Sequence, residues 1–372
     1  MVYKRGDFIP FSPDADRIVA NLEAAYEQWL DAQRELDSMP SSLFWQSKGS
    51  TDYLAIKVRP GGSGTTIGAR SPQTEARLAA HQHAKQALTT RVAQADELIR
   101  QRAALCRALR IPAIPDRQAG ILRQLDKREV LRNDVMVVGT NAFIAYCIAC
   151  NARFPAGIEE TEDFDLAWCR DSNVSLASLT EQSSRQHPTV MSVLREFDSS
   201  FQINKRKPYQ AINQEGYEVE LLAAPSLAPL PKSEAFEPML TLFEQEWLLR
   251  GRALSIVVPT LRGRACPLYV PDPRWMALHK LWLSKKPERN ASKKPKDARQ
   301  GDVLLSACRY FLADSYPMNL DFVFDLPTEL RDIFSAWSEA NEFDPNDPIA
   351  VASFDAESAP VDSRSRSARQ RR

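Results

Sequence analysis

Residues 135–168 begin with Val135-Met136-Val137-Val138-Gly139-Thr140-Asn141 and end with Thr161-Glu162-Asp163-Phe164-Asp165-Leu166-Ala167-Trp168. The first run is apolar and β-branched, which predicts a short strand. The glycine turn that follows precedes a helical pattern in which Thr140 or Asn141 would be the N-cap. In the second run apolar residues alternate with Asp163 and Asp165, which predicts another strand. Because side chains on a strand alternate between its two faces, both carboxylates would lie side by side on one face.

The two neighbouring carboxylates indicate a cation site. Like charges held this close repel each other unless a cation lies between them. A hard divalent cation such as Mg²⁺ takes oxygen ligands, usually one or two carboxylates together with substrate phosphates. A solvated edge strand with its polar face outward is the alternative explanation of Asp163 and Asp165. The preceding glycine turn favours a metal-and-phosphate site, because a helix N-terminus offers free N–H groups and a positive dipole to a phosphate.

These residues resemble the signature of the nucleotidyltransferases related to DNA polymerase β. The Gly139-Thr140 pair matches the glycine turn of that superfamily, and Asp163 and Asp165 match its paired aspartates. The sequence is most similar to a poorly characterised family of bacterial nucleotidyltransferase-fold proteins. That similarity covers roughly residues 43–310 and includes three further segments: Leu54 in a Tyr-Leu strand, Ile67-Gly68-Ala69-Arg70-Ser71-Pro72-Gln73-Thr74-Glu75, and His279-Lys280-Leu281.

The resemblance implies a third carboxylate on a later strand. The family pattern there is an apolar residue, an aspartate, further apolar residues and a proline. Val219-Glu220-Leu221-Leu222 followed by Pro225 fits this pattern with glutamate in place of aspartate. We therefore assign Glu220 as the third carboxylate, with Glu218 on the same strand face as the alternative.

What the resemblance implies about function is metal-dependent transfer of a nucleoside monophosphate from an NTP to a hydroxyl group on RNA, protein or a small molecule. Two Mg²⁺ or Mn²⁺ ions about 4 Å apart neutralise the polyphosphate and align the acceptor in such sites. Asp163 and Asp165 would bind both ions, and Glu220 would hold the ion nearer the acceptor. Gly139, Thr140 and Asn141 would hold the outer phosphates of the nucleotide.

Two other functional classes are compatible with the same residues. One is a nucleotidyltransferase-type toxin of a defence or toxin–antitoxin system that acts on tRNA or protein. The other is a module that binds a nucleotide or a partner without catalysis. No short motif specifies the acceptor, the preferred base or the oligomeric state.

A concentrated basic run spans residues 285–297, after a helix that Pro271-Asp272-Pro273 is expected to start. A solvated loop is one explanation of this run. The resemblance implies instead that lysine and arginine side chains of this region face the triphosphate, with Lys280 and Lys294 as phosphate ligands.

Composition limits the remaining possibilities. The chain has 372 residues, 44% hydrophobic and 26% charged, which is typical of a soluble globular protein with two or three domains. Because 48 basic and 48 acidic side chains balance, any nucleic-acid contact must come from a local patch. Neither a membrane-spanning apolar stretch nor a signal-peptide core is evident, so we expect a cytoplasmic protein with no membrane partner. Cys147 and Cys150 are expected to be buried free thiols of the core helix.

The expected fold is α/β (α+β), with a polymerase-β-like nucleotidyltransferase core and a mixed sheet. A helical and β-hairpin extension would occupy residues 1–115, the core 116–230, a mostly helical domain 231–354, and a disordered basic tail 355–372. Arg70 is expected to be a salt-bridged surface residue, although it could reach substrate. The predicted helices are 14–37, 72–109, 117–130, 177–186, 188–194, 236–249, one from Pro273, 302–312 and 327–337; the predicted strands are 43–45, 53–58, 135–138, 161–168, 201–204, 208–212, 217–222, 254–258 and 267–270.

Overall fold

The structure, a computed structural model, describes residues 2–58, 61–156, 164–168, 188–227 and 240–347. Of Phe164, Trp168 and Leu227 it describes the backbone only. Asp163, the helix predicted at 177–186 and the tail 355–372 lie outside these ranges. Among the helices in the described ranges, none combines the length and the apolar character that crossing a membrane requires.

The helices of the described residues are, in chain order, α1 (Pro13–Ser38), α2 (Pro72–Ala108), α3 (Asp116–Lys127), α4 (Phe143–Ala149), α5 (Val190–Phe197), α6 (Gln245–Leu248), α7 (Pro273–Lys285), α8 (Lys294–Phe311), α9 (Leu320–Asp325) and α10 (Thr328–Ala340). The strands are β1 (Ile9–Pro10), β2 (Ser42–Lys48), β3 (Thr51–Lys57), β4 (Thr65–Ala69), β5 (Val135–Val137), β6 (Ala152–Arg153), β7 (Phe164–Trp168), β8 (Gln202–Ile203), β9 (Gln210–Ile212), β10 (Glu218–Ala223), β11 (Leu240–Thr241), β12 (Leu254–Pro259) and β13 (Ala265–Val270). The predicted α/β fold class is confirmed, while the predicted domain boundaries stay a prediction.

The N-terminal region is built on α1 and α2, which pack along each other. The predicted start of α2 is confirmed, because the Ser71 hydroxyl accepts from the Thr74 N–H (3.3 Å) and the Thr74 hydroxyl accepts from the Ser71 N–H (2.9 Å). These reciprocal bonds satisfy two backbone donors at the helix start. Strands β2, β3 and β4 form an antiparallel sheet against α2. The sequence did not predict β4, because its short Thr-Thr-Ile-Gly-Ala run carries no clear alternation.

The central sheet is mixed and has the order β5-β7-β10-β9-β8, with β11 beside β10. Strand β7 is antiparallel to β5 and parallel to β10. Leu166 and Val219 point into the core and have no exposed surface. One face of β7 and β10 is therefore fixed by core packing, and the other face is left for polar side chains.

The C-terminal half places α7 and α8 side by side, and Gln300 of α8 reaches the turn after β5. Asp272 caps α7, since its carboxylate accepts from the Arg274 N–H (3.0 Å) and is fully buried; the predicted helix start is confirmed. At the crossing of the two helices, a Cβ on Gly301 would lie 2.5 Å from Leu281 Cγ and 2.8 Å from the Ala277 carbonyl oxygen. Only glycine permits this close approach of α8 to α7.

Three predicted elements were wrong in their bounds or type. In its described part, the helix predicted at 236–249 is instead a strand at Leu240–Thr241 and a single helical turn at Gln245–Leu248. The strand forms because these two residues pair in parallel with the end of β10. Helix α5 begins at Val190 with Thr189 as its cap and not at the preceding proline. Helix α8 begins at Lys294, eight residues before the predicted start at Asp302, so the end of the basic run is helical.

Candidate active site

Asp165 and Glu220 lie opposite each other on neighbouring parallel strands. The register pairs Val219 with Phe164, Glu220 with Asp165 and Leu221 with Leu166. Aligned residues of adjacent strands project to the same face, so both carboxylates leave the sheet on one side. Both residues are half-buried. The structure therefore brings together two of the three carboxylates predicted from the sequence, and the third, Asp163, lies outside the described residues.

The glycine turn after β5 lies directly against Asp165. The backbone N–H of Val138 donates to the Asp165 carbonyl oxygen (3.1 Å), and Gly139 then turns with φ 72° and ψ −154°. A Cβ at Gly139 would lie 2.5 Å from Asp165 Oδ2. This position needs glycine both for its backbone conformation and for the approach of the carboxylate.

The predicted N-cap role of Thr140 and Asn141 is wrong. Gly139 occupies the N-cap position of a short 3₁₀ turn, Thr140–Ala142, that leads into α4, and no side chain caps this turn. Thr140 and Asn141 are themselves buried. The Thr140 hydroxyl is used differently, because it accepts a hydrogen bond from Gln300 Nε2 of α8 (3.2 Å). The turn is therefore tied to the C-terminal helices.

Glu220 is held by the strand on its other side. Gln210 of β9 is buried, pairs with Glu220 in the sheet register, and donates from Nε2 to Glu220 Oε1. A fixed donor to one carboxylate oxygen restricts the side chain and leaves the second oxygen for another ligand. Glu218, the alternative third carboxylate, lies two residues earlier on the same strand and is also half-buried; it pairs with Ile212 of β9.

A charge cluster joins α7, α8 and the loop between them. Lys280 Nζ donates to Asp297 Oδ1 (3.0 Å), and Arg289 Nε donates to Asp297 Oδ2 (2.7 Å). Burial raises the pKa of Asp297, but Lys280 and Arg289 outweigh it and hold that pKa below its ordinary value. Two cations share one carboxylate, so the cluster has one positive charge in excess.

Lys280 is within electrostatic reach of Asp165. Burial is the main influence on Lys280 and lowers its pKa, while the negative charges of Asp297 and, more weakly, Asp165 oppose this shift. The electrostatic influence of Asp165 reaches Lys280, and its role as a site residue stays a prediction. Lys280 is 5% exposed, so little of its side chain is open to a ligand.

His279 is buried beside Lys280 and packs edge-on to Trp247, with ring centroids 6.5 Å apart. Neither ring nitrogen has a hydrogen-bond partner among the described residues. Burial, reinforced by the charge of Lys280, lowers the pKa of His279 to about 3. The ring is therefore neutral at physiological pH.

Lys294 occupies a different position from Lys280. It is the first residue of α8, and its Nζ donates to the Pro287 carbonyl oxygen at 3.5 Å. Six residues separate it from Gln300, which contacts Thr140, and this corresponds to about 9 Å along the helix axis. Lys294 thus lies at the outer end of the helix whose middle meets the glycine turn.

Four residues at or near this site were not predicted from the sequence: Gln210, Asp297, Arg289 and Gln300. A signal was present for Asp297, because a lone aspartate after a run of lysines is expected to pair with one of them. Gln300 follows Asp297 at i+3 on α8 and so shares its helix face. Gln210 could not be found in this way, because its role depends on the register of β9 with β10.

The described residues contain no group of three or more His, Cys, Asp or Glu side chains that could hold a metal ion. Asp165 and Glu220 nevertheless supply carboxylate oxygens from one side of the sheet, which is the donor type that Mg²⁺ and Mn²⁺ take. The donor set in the described residues fits a hard divalent cation.

Other predicted residues lie outside this site. Arg70 pairs with Asp52 (3.4 Å) and Glu75 (2.8 Å), as expected of a salt-bridged surface arginine. The predicted buried free thiols are confirmed for Cys147 and Cys150, whose pKa values burial raises, that of Cys147 to about 12.

Comparison with known proteins adds an independent finding. A crystal structure of an antigenic nucleotidyltransferase-like protein from Paracoccidioides brasiliensis matches with 17% identity over 65% of this chain and 94% of its own, with a TM-score of 0.33. Among curated proteins no significant match was found. A family profile described as Nucleotidyltransferase matches residues 116–319, which is more than half of the 372 residues. That range contains β5, β7, β10, α7 and α8, and its match shows that this chain belongs to the nucleotidyltransferase family of enzymes.

Proposed function

We propose that this enzyme transfers a nucleoside monophosphate from an NTP to a hydroxyl-bearing acceptor and that Mg²⁺ or Mn²⁺ is required. The observation that carries the proposal is the alignment of Asp165 with Glu220 on parallel strands, with Gly139 against the Asp165 carboxylate. The likeness of the sequence signature to the DNA polymerase β superfamily supports the same reaction.

The metal would be held by Asp165 and Glu220, with Asp163 as the third ligand. When bound, such ions neutralise the polyphosphate and orient the acceptor hydroxyl. The contribution of the protein is to hold both carboxylates at one edge: Gln210 fixes one oxygen of Glu220, and the turn at Gly139 limits the space around Asp165. Glu220 also has the position from which a carboxylate could accept the proton of the attacking hydroxyl.

The phosphates of the nucleotide would lie between the glycine turn and α7. The 3₁₀ turn and the seven-residue α4 give only a small helix dipole, so backbone N–H groups of Gly139, Thr140 and Asn141 would act mainly as local donors. Lys280 would supply positive charge at the same edge, because it lies within reach of Asp165 while Asp297 fixes its position. Lys294 would contact only the outer end of a bound nucleotide or its acceptor.

Thermal melting of parent and variants, each in EDTA and with excess Mg²⁺ and NTP, tests the assignment of the carboxylates. Without metal, neighbouring carboxylates repel each other, so Asp165→Asn should be as stable as the parent or more so in EDTA. Because a ligand stabilises the state that binds it, the same change should remove most of the stabilisation that metal and NTP give. Glu220→Gln should behave in the same way, and Glu218→Gln is the matched control on the same strand.

An Asp165→Asn protein that melts clearly below the parent in EDTA, and shows the parent's upward shift with Mg²⁺ and NTP, would contradict the proposal. If Glu218→Gln and not Glu220→Gln loses the shift, the third ligand is Glu218. Binding of NTP by the parent without release of pyrophosphate, in the presence of RNA and cell lysate as acceptors, would identify a non-catalytic binding module. Arrest of growth on expression of the parent but not of Asp165→Asn would favour the toxin.

A further inference from the structure

The sheet of β2, β3 and β4 has one face against α2 and one face turned away from it. Leu54 is fully buried, and Leu43 on the same face lines a hollow with His81 and Lys85 of α2. Residues aligned across antiparallel strands share a face. The register therefore assigns ten described residues to the opposite face: Ser42, Phe44, Gln46, Lys48, Thr51, Tyr53, Ala55, Lys57, Thr66 and Ala69. We call this set the lysine–aromatic face.

Two lysine–aromatic pairs occur on this face. Lys57 Nζ lies 5.3 Å from the centroid of the Phe44 ring, and Lys48 Nζ lies 5.9 Å from that of Tyr53. Lys48 also donates to Thr66 Oγ1 of β4 (3.0 Å). Lys48 is exposed, while Lys57 and both rings are half-buried, so part of each ring and of each lysine is open to solvent.

The lysine–aromatic face contains no acidic residue. The one carboxylate of these strands, Asp52, belongs to the face toward α2, where it pairs with Arg70 (3.4 Å). Arg70 also lies over the Trp45 ring of that face, 5.2 Å from its centroid. The protein as a whole has no net charge, with 48 basic and 48 acidic side chains. The separation of Asp52 from Lys48 and Lys57 creates a local positive face on an otherwise balanced molecule.

The sheet lies at the far end of a projecting helix. The buried residues of α2 begin at Leu88, so its first sixteen residues, from Pro72, bury no side chain; they extend for about 24 Å at 1.5 Å per residue. The sheet packs on this part, where a Cβ on Gly68 would meet Thr74 Cγ2 (3.6 Å) and Lys85 Nζ donates to the Ser41 carbonyl oxygen. The lysine–aromatic face is thus presented away from the main core.

We infer that the lysine–aromatic face binds single-stranded nucleic acid. Single-stranded nucleic acids are bound by aromatic rings on which bases stack, combined with cations that contact the phosphates. The two rings and two lysines supply both groups on one surface without a competing carboxylate. The inference does not depend on the proposed reaction, because binding can be measured without turnover.

Fluorescence anisotropy with a labelled single-stranded RNA of mixed sequence, titrated with the full-length protein at several salt concentrations, tests this inference. Lys48→Ala/Lys57→Ala should reduce the slope of log affinity against log salt by about 1.4, since each phosphate contact on a single strand contributes about 0.7. Tyr53→Leu should weaken binding by about 5- to 150-fold, the range of one base–aromatic stack, and leave the salt slope unchanged. Tyr53→Phe should bind as the parent does.

Lys205→Ala/Lys207→Ala is the matched control, because it removes two exposed lysines from the turn between β8 and β9. It should retain the affinity and salt slope of the parent. Lys48→Arg/Lys57→Arg should also retain them, which separates loss of charge from loss of folding.

Five results would overturn the inference. One is no measurable affinity of the parent for the RNA, and another is equal affinity of the parent and the face variants. A third is equal binding of a blunt RNA duplex, which offers no unstacked base. A fourth is a parent dimer by light scattering that becomes monomeric in Tyr53→Leu, which would make the face a contact between two copies of this chain. Selective capture of an acidic peptide in place of RNA would equally overturn it.

Discussion

Replacing Gly139 with alanine tests whether the glycine turn and Asp165 form one unit. Gly139 has φ 72° and ψ −154°, a backbone conformation that is almost confined to glycine and costs other residues about 1–3 kcal/mol. The added Cβ would also lie 2.5 Å from Asp165 Oδ2, whereas real Cβ contacts are essentially never shorter than 3.0 Å. The carboxylate would therefore have to move by at least 0.5 Å, the difference between these two distances.

The two costs can be separated by their size and by their dependence on Asp165. Forcing a side chain away from its preferred rotamer costs about 0.5–1.5 kcal/mol, so Gly139→Ala should lower the free energy of unfolding by about 1.5–4.5 kcal/mol in total. A misplacement of 1 Å can cost roughly 100-fold in rate, so a shift of at least 0.5 Å should lower transfer activity by roughly 10-fold or more.

Urea unfolding of Gly139→Ala, Asp165→Ala and the double variant measures the coupling. In the Asp165→Ala background the carboxylate is gone, so Gly139→Ala should cost less than in the parent by about 0.5–1.5 kcal/mol. Gly216→Ala is the control, because Gly216 has φ 80° with no atom within 4 Å of an added Cβ. This substitution should therefore cost backbone strain alone. Equal losses in the parent and Asp165→Ala backgrounds, together with unchanged activity of Gly139→Ala, would show that the glycine turn and Asp165 do not form one unit.

Three further predictions concern α7 and α8. Burial holds the pKa of His279 at about 3 in the folded protein, against about 6.5 in the unfolded protein, so the unfolded state binds more protons below pH 6.5. The free energy of unfolding should therefore fall by about 2 kcal/mol between neutral pH and pH 5. His279→Gln should abolish this fall, whereas His83→Gln, at an exposed position, should not. Gly301→Ala should lower the midpoint of urea unfolding by an amount equivalent to about 1–3 kcal/mol, because it forces the two helices apart, whereas Gly6→Ala, with no neighbour near its Cβ, should be neutral. Asp297→Ala should cost about 3–5 kcal/mol in the same assay, because it leaves a buried lysine unpaired; a loss below 1 kcal/mol would contradict the proposed cluster.

Local signals predicted the elements that carry the site. The strand at β7, the glycine turn and the strand at β10 follow from residue alternation and turn chemistry, because these features depend only on neighbours in sequence. The alignment of Glu220 with Asp165 does not. It depends on which strands become neighbours, and only the resemblance to a known family suggested it.

Long-range packing explains what the sequence did not predict. The pairing of Lys280 with Asp297 requires α7 and α8 to approach each other at Gly301, and nothing in either helix alone specifies that contact. The Thr140 hydroxyl was expected to cap a helix, but the tertiary structure supplies Gln300 as its partner. Leu240 and Thr241 fit a helix pattern equally well, but they form a strand because they pair with the open edge of β10.

NTPs labelled at either the α- or the γ-phosphate test directly for nucleotidyl transfer at this site. Each is incubated with Mg²⁺ or Mn²⁺, the protein, and bulk tRNA or cell lysate as acceptor. Label from the α-phosphate should be joined to an acceptor with release of pyrophosphate, label from the γ-phosphate should not, and Asp165→Asn should transfer neither. Transfer of the γ-label, or α-labelling by Asp165→Asn at the rate of the parent, would contradict nucleotidyl transfer at this site.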